Sequence, residues 1–231
     1  MAMTDVRGGL ARPAGILTSA AGSFRRSIWV PSKRWTAANG DRWFPIIAAV
    51  LITVSMFFPY WRLKLNAPQY PSGLTATIGV SKVGGDVDEI DGLNHYIGMR
   101  RLDEGGEFER SISVFAVPLM AGIAALAALR RRRFWLFALP AIVYPIVFTA
   151  DLYYWLRNFG HNLDPTAALS NAFDEFTPTL LGPGRVGQFT TFSFYDIGFG
   201  LAFLAALLLI VAVVVRLKRA PAELLARTEA A

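Results

Sequence analysis

No cysteine occurs in the 231 residues of this chain. That absence excludes disulfides, thiolate metal centres, Cys-x-x-Cys redox pairs, covalent c-type haem and a lipoprotein anchor. Histidine is scarce too, with two in the whole sequence, and a closed structural zinc site takes four His or Cys ligands. Charge is also in short supply. Asp, Glu, Lys and Arg make up 17% of residues, where soluble domains carry about 25%. Neither a phosphate-cradling glycine loop, nor a dinucleotide fingerprint, nor a nucleophile–histidine–acid spacing is present, so no enzyme class and no nucleotide cofactor is indicated.

Apolar residues fill the space instead, at 54% of the chain, with a mean hydropathy of +0.40. They fall in four blocks, about 44–60, 112–129, 134–156 and 197–217. Each approaches the roughly 20 residues that carry an α-helix across a ~30 Å hydrocarbon core. A transmembrane barrel would need many alternating segments of ~10 residues instead. The sequence therefore predicts an all-α membrane protein, a four-transmembrane-helix bundle spanning residues 44–217. The first block reads as an anchor and not as a removed signal peptide. Arg25-Arg26 reads as topogenic charge.

Orientation follows from Lys and Arg. Residues 1–43, Arg130–Arg133 and the segment from Arg216 onward hold fifteen of them against four acids. The loops 61–111 and 157–196 hold eight against twelve. Both termini and the four-arginine turn are thus expected in the cytoplasm (N-in/C-in), with the tails 1–43 and 218–231 inside and the two long loops outside. The net charge of +6 is explained as a topology signal, without nucleic acid as a partner.

The outer loops are patterned. Trp61, Leu63 and Leu65 alternate with Arg62 and Lys64. Beyond a Pro/Gly turn, Leu74, Ala76, Ile78 and Val80 alternate with smaller polar residues, which predicts a β-hairpin. Asp86, Asp88, Glu89 and Asp91 read as a solvated acidic turn. Asp164-Pro165 reads as a helix start, and Phe189, Phe192 and Phe194 are expected to pack against the first loop. Together the loops would make a small extracytoplasmic cap containing the hairpin.

Both histidines lie in that cap. His95 and Met99 are four apart, so a helical turn would put an imidazole and a thioether on one face. That ligand pair suits Cu(I), a soft ion. With His161 they form a candidate metal site, and Asn94, Asn162 and Asp164 are candidates to orient the imidazoles. The competing reading makes each histidine a hydrogen-bonded strut of the cap. Bis-histidine haem is disfavoured, because neither histidine lies within the bundle. Asp151, late in the third block, is a candidate polar intramembrane residue, since an ionisable group at membrane depth is costly and often functional.

Three motifs carry a resemblance: Ala67-Pro68-Gln69-Tyr70-Pro71, Gly92-Leu93-Asn94-His95-Tyr96-Ile97-Gly98-Met99 and Gly160-His161-Asn162-Leu163-Asp164-Pro165. In these the chain resembles a family of small four-span bacterial membrane proteins associated with copper-enzyme systems, namely nitrous oxide reductase accessory clusters and copper membrane monooxygenases. The resemblance covers roughly residues 44–217. It implies a multi-pass protein of the bacterial cytoplasmic (inner) membrane. Such a protein would bind copper on the extracytoplasmic face through His95, Met99 and His161, for delivery to or assembly of a copper enzyme. The alternative is a structural or assembly subunit of a larger membrane enzyme complex, without a metal of its own.

Overall fold

The computed structural model describes residues 33–129, 133–169, 172, 174–186 and 188–229, with side chains over 42–218 of that range. The expectations for the tail 1–32 and for Arg130–Arg132 lie outside the described residues. By internal contacts the chain divides into two units, Met1–Ala38 and Asn39–Ala231, and the second holds the sheet and the bundle.

Element order is α1 (Lys33–Ser55), β1 (Trp61–Ala67), β2 (Tyr70–Ile78), β3 (Val83–Gly85) and α2 (Val87–Ile97), a 3-10 turn at Leu102–Glu104, then α3 (Glu107–Leu126), α4 (Phe134–His161), β4 (Gly182–Val186), β5 (Phe189–Tyr195) and α5 (Ile197–Glu229). Among the described residues three helical segments are long and apolar enough to cross a membrane: Glu107–Leu126, Phe134–His161 and Ile197–Lys218. Large apolar side chains stand exposed along them, among them Phe115, Leu119 and Ile146. In water such a surface would be an aggregation hazard; against lipid it is the solvent-facing side. The chain is a multi-pass membrane protein with an extramembrane layer of sheet and helix.

Two parts of the expected architecture are corrected. The first block does not supply a fourth span. Its apolar helix is Arg42–Ser55, which at 1.5 Å per residue reaches only about 21 Å of a ~30 Å core. The chain breaks after Ser55 into a turn through Phe57, Phe58 and Pro59, so the last apolar residues of that block, Phe57, Phe58 and Tyr60, lie outside the helix. Within the bundle α1 still packs, placing Ala48 and Ile52 against Val117, Ala121, Ala138, Ala205 and Leu209. Small residues on four helices let the backbones approach closely.

The second correction concerns the cap. It is not a small hairpin but a five-stranded antiparallel sheet in the order β3-β2-β1-β5-β4. Strands β1 and β2 pair from Trp61↔Ile78 to Ala67↔Tyr70, with an irregularity between Leu65 and Ala67. Strand β5 pairs with β1 on its other side, from Trp61↔Tyr195 to Asn66↔Thr190. Period two then sorts the faces. Trp61, Leu63 and Leu65 share one face with Thr191 and Ser193, while Arg62, Lys64 and Asn66 share the other with Phe194, Phe192 and Thr190.

Long-range bonds tie the sheet to the helices. Tyr60, fully buried, bonds Ser55 Oγ at 2.6 Å and Tyr144 at 3.2 Å. Trp61 donates its indole N–H to the Leu180 carbonyl at 2.7 Å. Asp196 accepts from the Ile197 N–H at 2.8 Å at the start of α5 and pairs with Arg62 at 2.7 Å. At the far end of the bundle, Arg216 bonds the Ala127 carbonyl and stacks over Phe134. The α3–α4 turn and the later part of α5 therefore share the side opposite the sheet. Helix α5 runs on through the C-terminal segment as far as Glu229.

Candidate functional site

The acidic run opens α2. Asp86 sits ahead of the helix, where its Oδ2 accepts the Thr75 N–H at 2.8 Å and its own N–H donates to the Thr75 carbonyl at 2.7 Å. Asp88 and Glu89 fall in the first turn, where the helix dipole favours negative charge. The expected solvated turn is thus a helix start. Ile90, Asp91, Asn94 and Ile97 form the buried face of α2, and Ile90 packs on Leu74 and Ala76 of the sheet. Asp91 accepts the Leu102 N–H at 2.8 Å. Burial pushes its carboxyl above the ordinary range.

The His95–Met99 face is not formed. Helix α2 ends at Ile97, Gly98 turns left-handed at φ 82°, and the Met99 N–H returns to the Asn94 carbonyl at 2.9 Å. This is the usual way a glycine satisfies the last carbonyls of a helix. His95 is exposed on the helix and Met99 lies beyond the turn. The two still line one crevice, together with Arg100, Arg101, Asn162 and Asp164.

Gly98 is also where the second motif docks. The Asp164 N–H donates to the Gly98 carbonyl at 2.8 Å, and the Leu169 N–H to the Tyr96 carbonyl at 2.9 Å. Asp164-Pro165 begins an Asx turn and not a helix: Asp164 Oδ1 accepts from both the N–H and the hydroxyl of Thr166, at 2.8 and 2.7 Å. These bonds, then the nearby His95, hold its carboxyl below the ordinary value. Asn162 ends α4 by donating to the Asn158 carbonyl at 2.9 Å.

His161, the last residue of α4, is used on both sides. Its Nδ1 lies 2.9 Å from Glu175 Oε2 and its Nε2 lies 3.0 Å from Thr177 Oγ1. A neutral imidazole here donates from Nδ1 to the carboxylate and accepts the threonine hydroxyl at Nε2. No lone pair is left for a metal unless one of those bonds is given up. Among the described residues no group of three or more His, Cys, Asp or Glu side chains comes together as a metal cluster. The structure thus puts His95 and Met99 at one crevice that His161 does not line.

A second feature lies beneath the sheet. A cavity of about 470 Å³ is enclosed by the inner faces of β1 and β2, by α2, by the first half of α3 and by the later half of α4. Trp61, Leu63, Ile78, Ile90, Phe148 and Leu156 give it an apolar wall, and Asp151, Glu109, Asn94 and Trp155 are its main polar groups. Asp151, half-buried on α4, has Glu109 within electrostatic reach. Its charged neighbour there is a second acid. Volume and lining match the usual ligand site, which is mostly apolar and about 300–1,000 Å³.

Sequence reasoning passed over Glu109 and Trp155, and over the two glycines inside the motifs. A Cβ at Gly98 would come within 2.7 Å of the Asp164 carbonyl, and one at Gly160 would strike the Phe176 carbonyl. The signal for Gly98 was available, since a glycine just past an apolar helical period marks a C-terminus. The cavity had none, because its wall is assembled from helices and strands scattered between Trp61 and Thr191. No protein family and no curated protein matches the chain.

Proposed function

We propose that this protein is a structural or assembly subunit of a larger membrane complex, docking through its extramembrane sheet. The observation that carries this reading is how the histidine motifs are spent. Gly98 with Asp164 joins the two long loops to each other, and Gly160 with Phe176 and His161 with Glu175 and Thr177 fold the second loop back on the end of α4. What they brace is a sheet whose outward face alternates cationic and aromatic side chains. Lys64 stands opposite Phe192 in register, and Phe192 is 48% exposed. Aromatic residues and arginine are enriched at protein interfaces, and this face carries Phe192, Phe194 and Arg62. The arginine-rich α3–α4 turn supports placing that turn in the cytoplasm of a bacterial inner membrane and the sheet outside it. A copper enzyme is the partner class that the resemblance implies.

The test is native electrophoresis of mildly solubilised membranes. Wild-type protein is expected to migrate in an assembly well above the detergent-bound 25.4 kDa chain. Phe192→Asp with Lys64→Glu should release it, while His95→Ala with His161→Ala should not. Elemental analysis after Cu(I) loading and desalting separates the competing reading. About one copper per chain, lost in the double histidine variant, with migration as a lone chain, would replace assembly with copper handling.

A further inference from the structure

The cavity beneath the sheet opens sideways. Phe108, Ile112 and Val147 line it and yet are 72%, 45% and 56% exposed. All three lie on α3 and α4, the two segments whose length and composition suit them to the bilayer. The mouth therefore faces hydrocarbon and not water. From it the apolar wall runs inward past Ala116 and Val117 to Met120 and Tyr144, and upward to Trp61 and Ile78 of the sheet. An apolar cavity open to lipid fills with whatever apolar chain can enter, since water gains nothing there.

The polar groups of the site are arranged with bias. Glu109 and Asp151 both line it. Arg110, the cation beside them, is already engaged, its guanidinium donating to the carbonyls of Gly105 and Asp103. An anionic head would meet two carboxylates, whereas an ammonium would be held by them. We infer that this cavity binds one acyl chain of a membrane phospholipid whose amine-bearing head lies at Glu109 and Asp151. The chemistry is that of a phosphatidylethanolamine. Binding of this kind is independent of the assembly reading, because the cavity is on the inner face of the sheet and the docking surface on the outer.

Two lipids with the same palmitoyl and oleoyl chains, one with an ethanolamine head and one with a glycerol head, test the assignment. Protein purified into lipid-free detergent is loaded with each and examined by native mass spectrometry as activation energy rises. The wild type should retain about one ethanolamine lipid per chain, with a roughly tenfold preference over the glycerol lipid, the size of one charge-assisted contact. Ala116→Phe at the mouth should abolish retention. Val114→Phe places the same bulk on α3 at a residue that does not line the cavity, and should leave retention unchanged. Glu109→Gln with Asp151→Asn should keep lipid but lose the preference. Retention by the wild type no greater than by Ala116→Phe would overturn the site, and equal retention of both heads in the wild type would overturn the role of the carboxylates.

Discussion

Asp91 shows how a single buried carboxylate can be necessary without its charge being useful. Only 8% exposed, it accepts the Leu102 N–H through Oδ1, while Oδ2 has Arg101 no nearer than 3.7 Å. Its role is to accept a backbone bond, and burial makes the charged form costly. The sign follows from its raised carboxyl. The folded state holds the proton more tightly than the unfolded one, so this group penalises folding at neutral pH and the penalty fades as pH falls. Asp91→Asn keeps an acceptor for Leu102 and removes the charge; it should melt at or above the wild-type temperature at pH 7. Asp91→Leu leaves the Leu102 N–H without its partner and should cost about 1–3 kcal/mol. Thermal unfolding in detergent, followed by tryptophan fluorescence, distinguishes the two, and a melt for Asp91→Asn as low as for Asp91→Leu would show that the charge itself matters.

At the scale of elements, the second long loop depends on one glycine for its return to α4 and on one carboxylate for the turn that meets the first loop. Gly160→Ala would drive a methyl group into the Phe176 carbonyl, and the segment carrying Glu175 and Thr177 would have to lift from the end of α4. A loss of about 1–3 kcal/mol is expected, typical of forced overpacking. A protease should then cut between Thr166 and Leu181 sooner than in the wild type. Asp164 adds a pH dependence of the opposite sign to that of Asp91. Its carboxyl is held below the ordinary value by Thr166 and by nearby His95, so the stabilisation is present above about pH 4 and lost as pH falls through the folded value. The difference in melting temperature between wild type and Asp164→Ala should therefore hold steady down to about pH 4 and shrink as pH falls further. A difference that stays constant would mean that the turn holds without its charge.

Some of these elements were legible in the residues and others were not. Alternation through Trp61–Leu65 and Leu74–Ile78 marks β1 and β2 because one face of each is buried, and period two survives any tertiary context. Strand β4 was hidden, since Gly182-Pro183-Gly184 carries turn chemistry and becomes a strand only by pairing with β5 at the sheet edge, where proline is tolerated. The end of α1 was misjudged for a related reason: Phe57, Phe58 and Tyr60 are apolar in sequence but belong to the turn at Pro59. Within the candidate site, the motifs announced that something was special at His95 and His161. They did not distinguish a ligand from a strut, because an imidazole that binds a metal and one that bridges Glu175 and Thr177 leave the same letter in the chain.

For the whole molecule, the three segments Glu107–Leu126, Phe134–His161 and Ile197–Lys218 fix which parts share a side, and the charge pattern assigns the sides. Strands from both long loops make one sheet at one end of the bundle, while Ala127, Phe134 and Arg216 meet at the other. Arginine resists translocation, so the end with Arg130–Arg133 should stay in the cytoplasm. A chain without cysteine gives a clean background for testing this. Lys64→Cys places a thiol on the outward face of the sheet, and Leu129→Cys places one in the α3–α4 turn, where Leu129 is 78% exposed. In intact cells a membrane-impermeant maleimide should label the first and not the second, and breaking the inner membrane should expose both. Labelling of Leu129→Cys alone would invert the protein. The docking surface would then face the cytoplasm, where an exported partner could not meet it, and the assembly reading would have to look for a partner inside the cell.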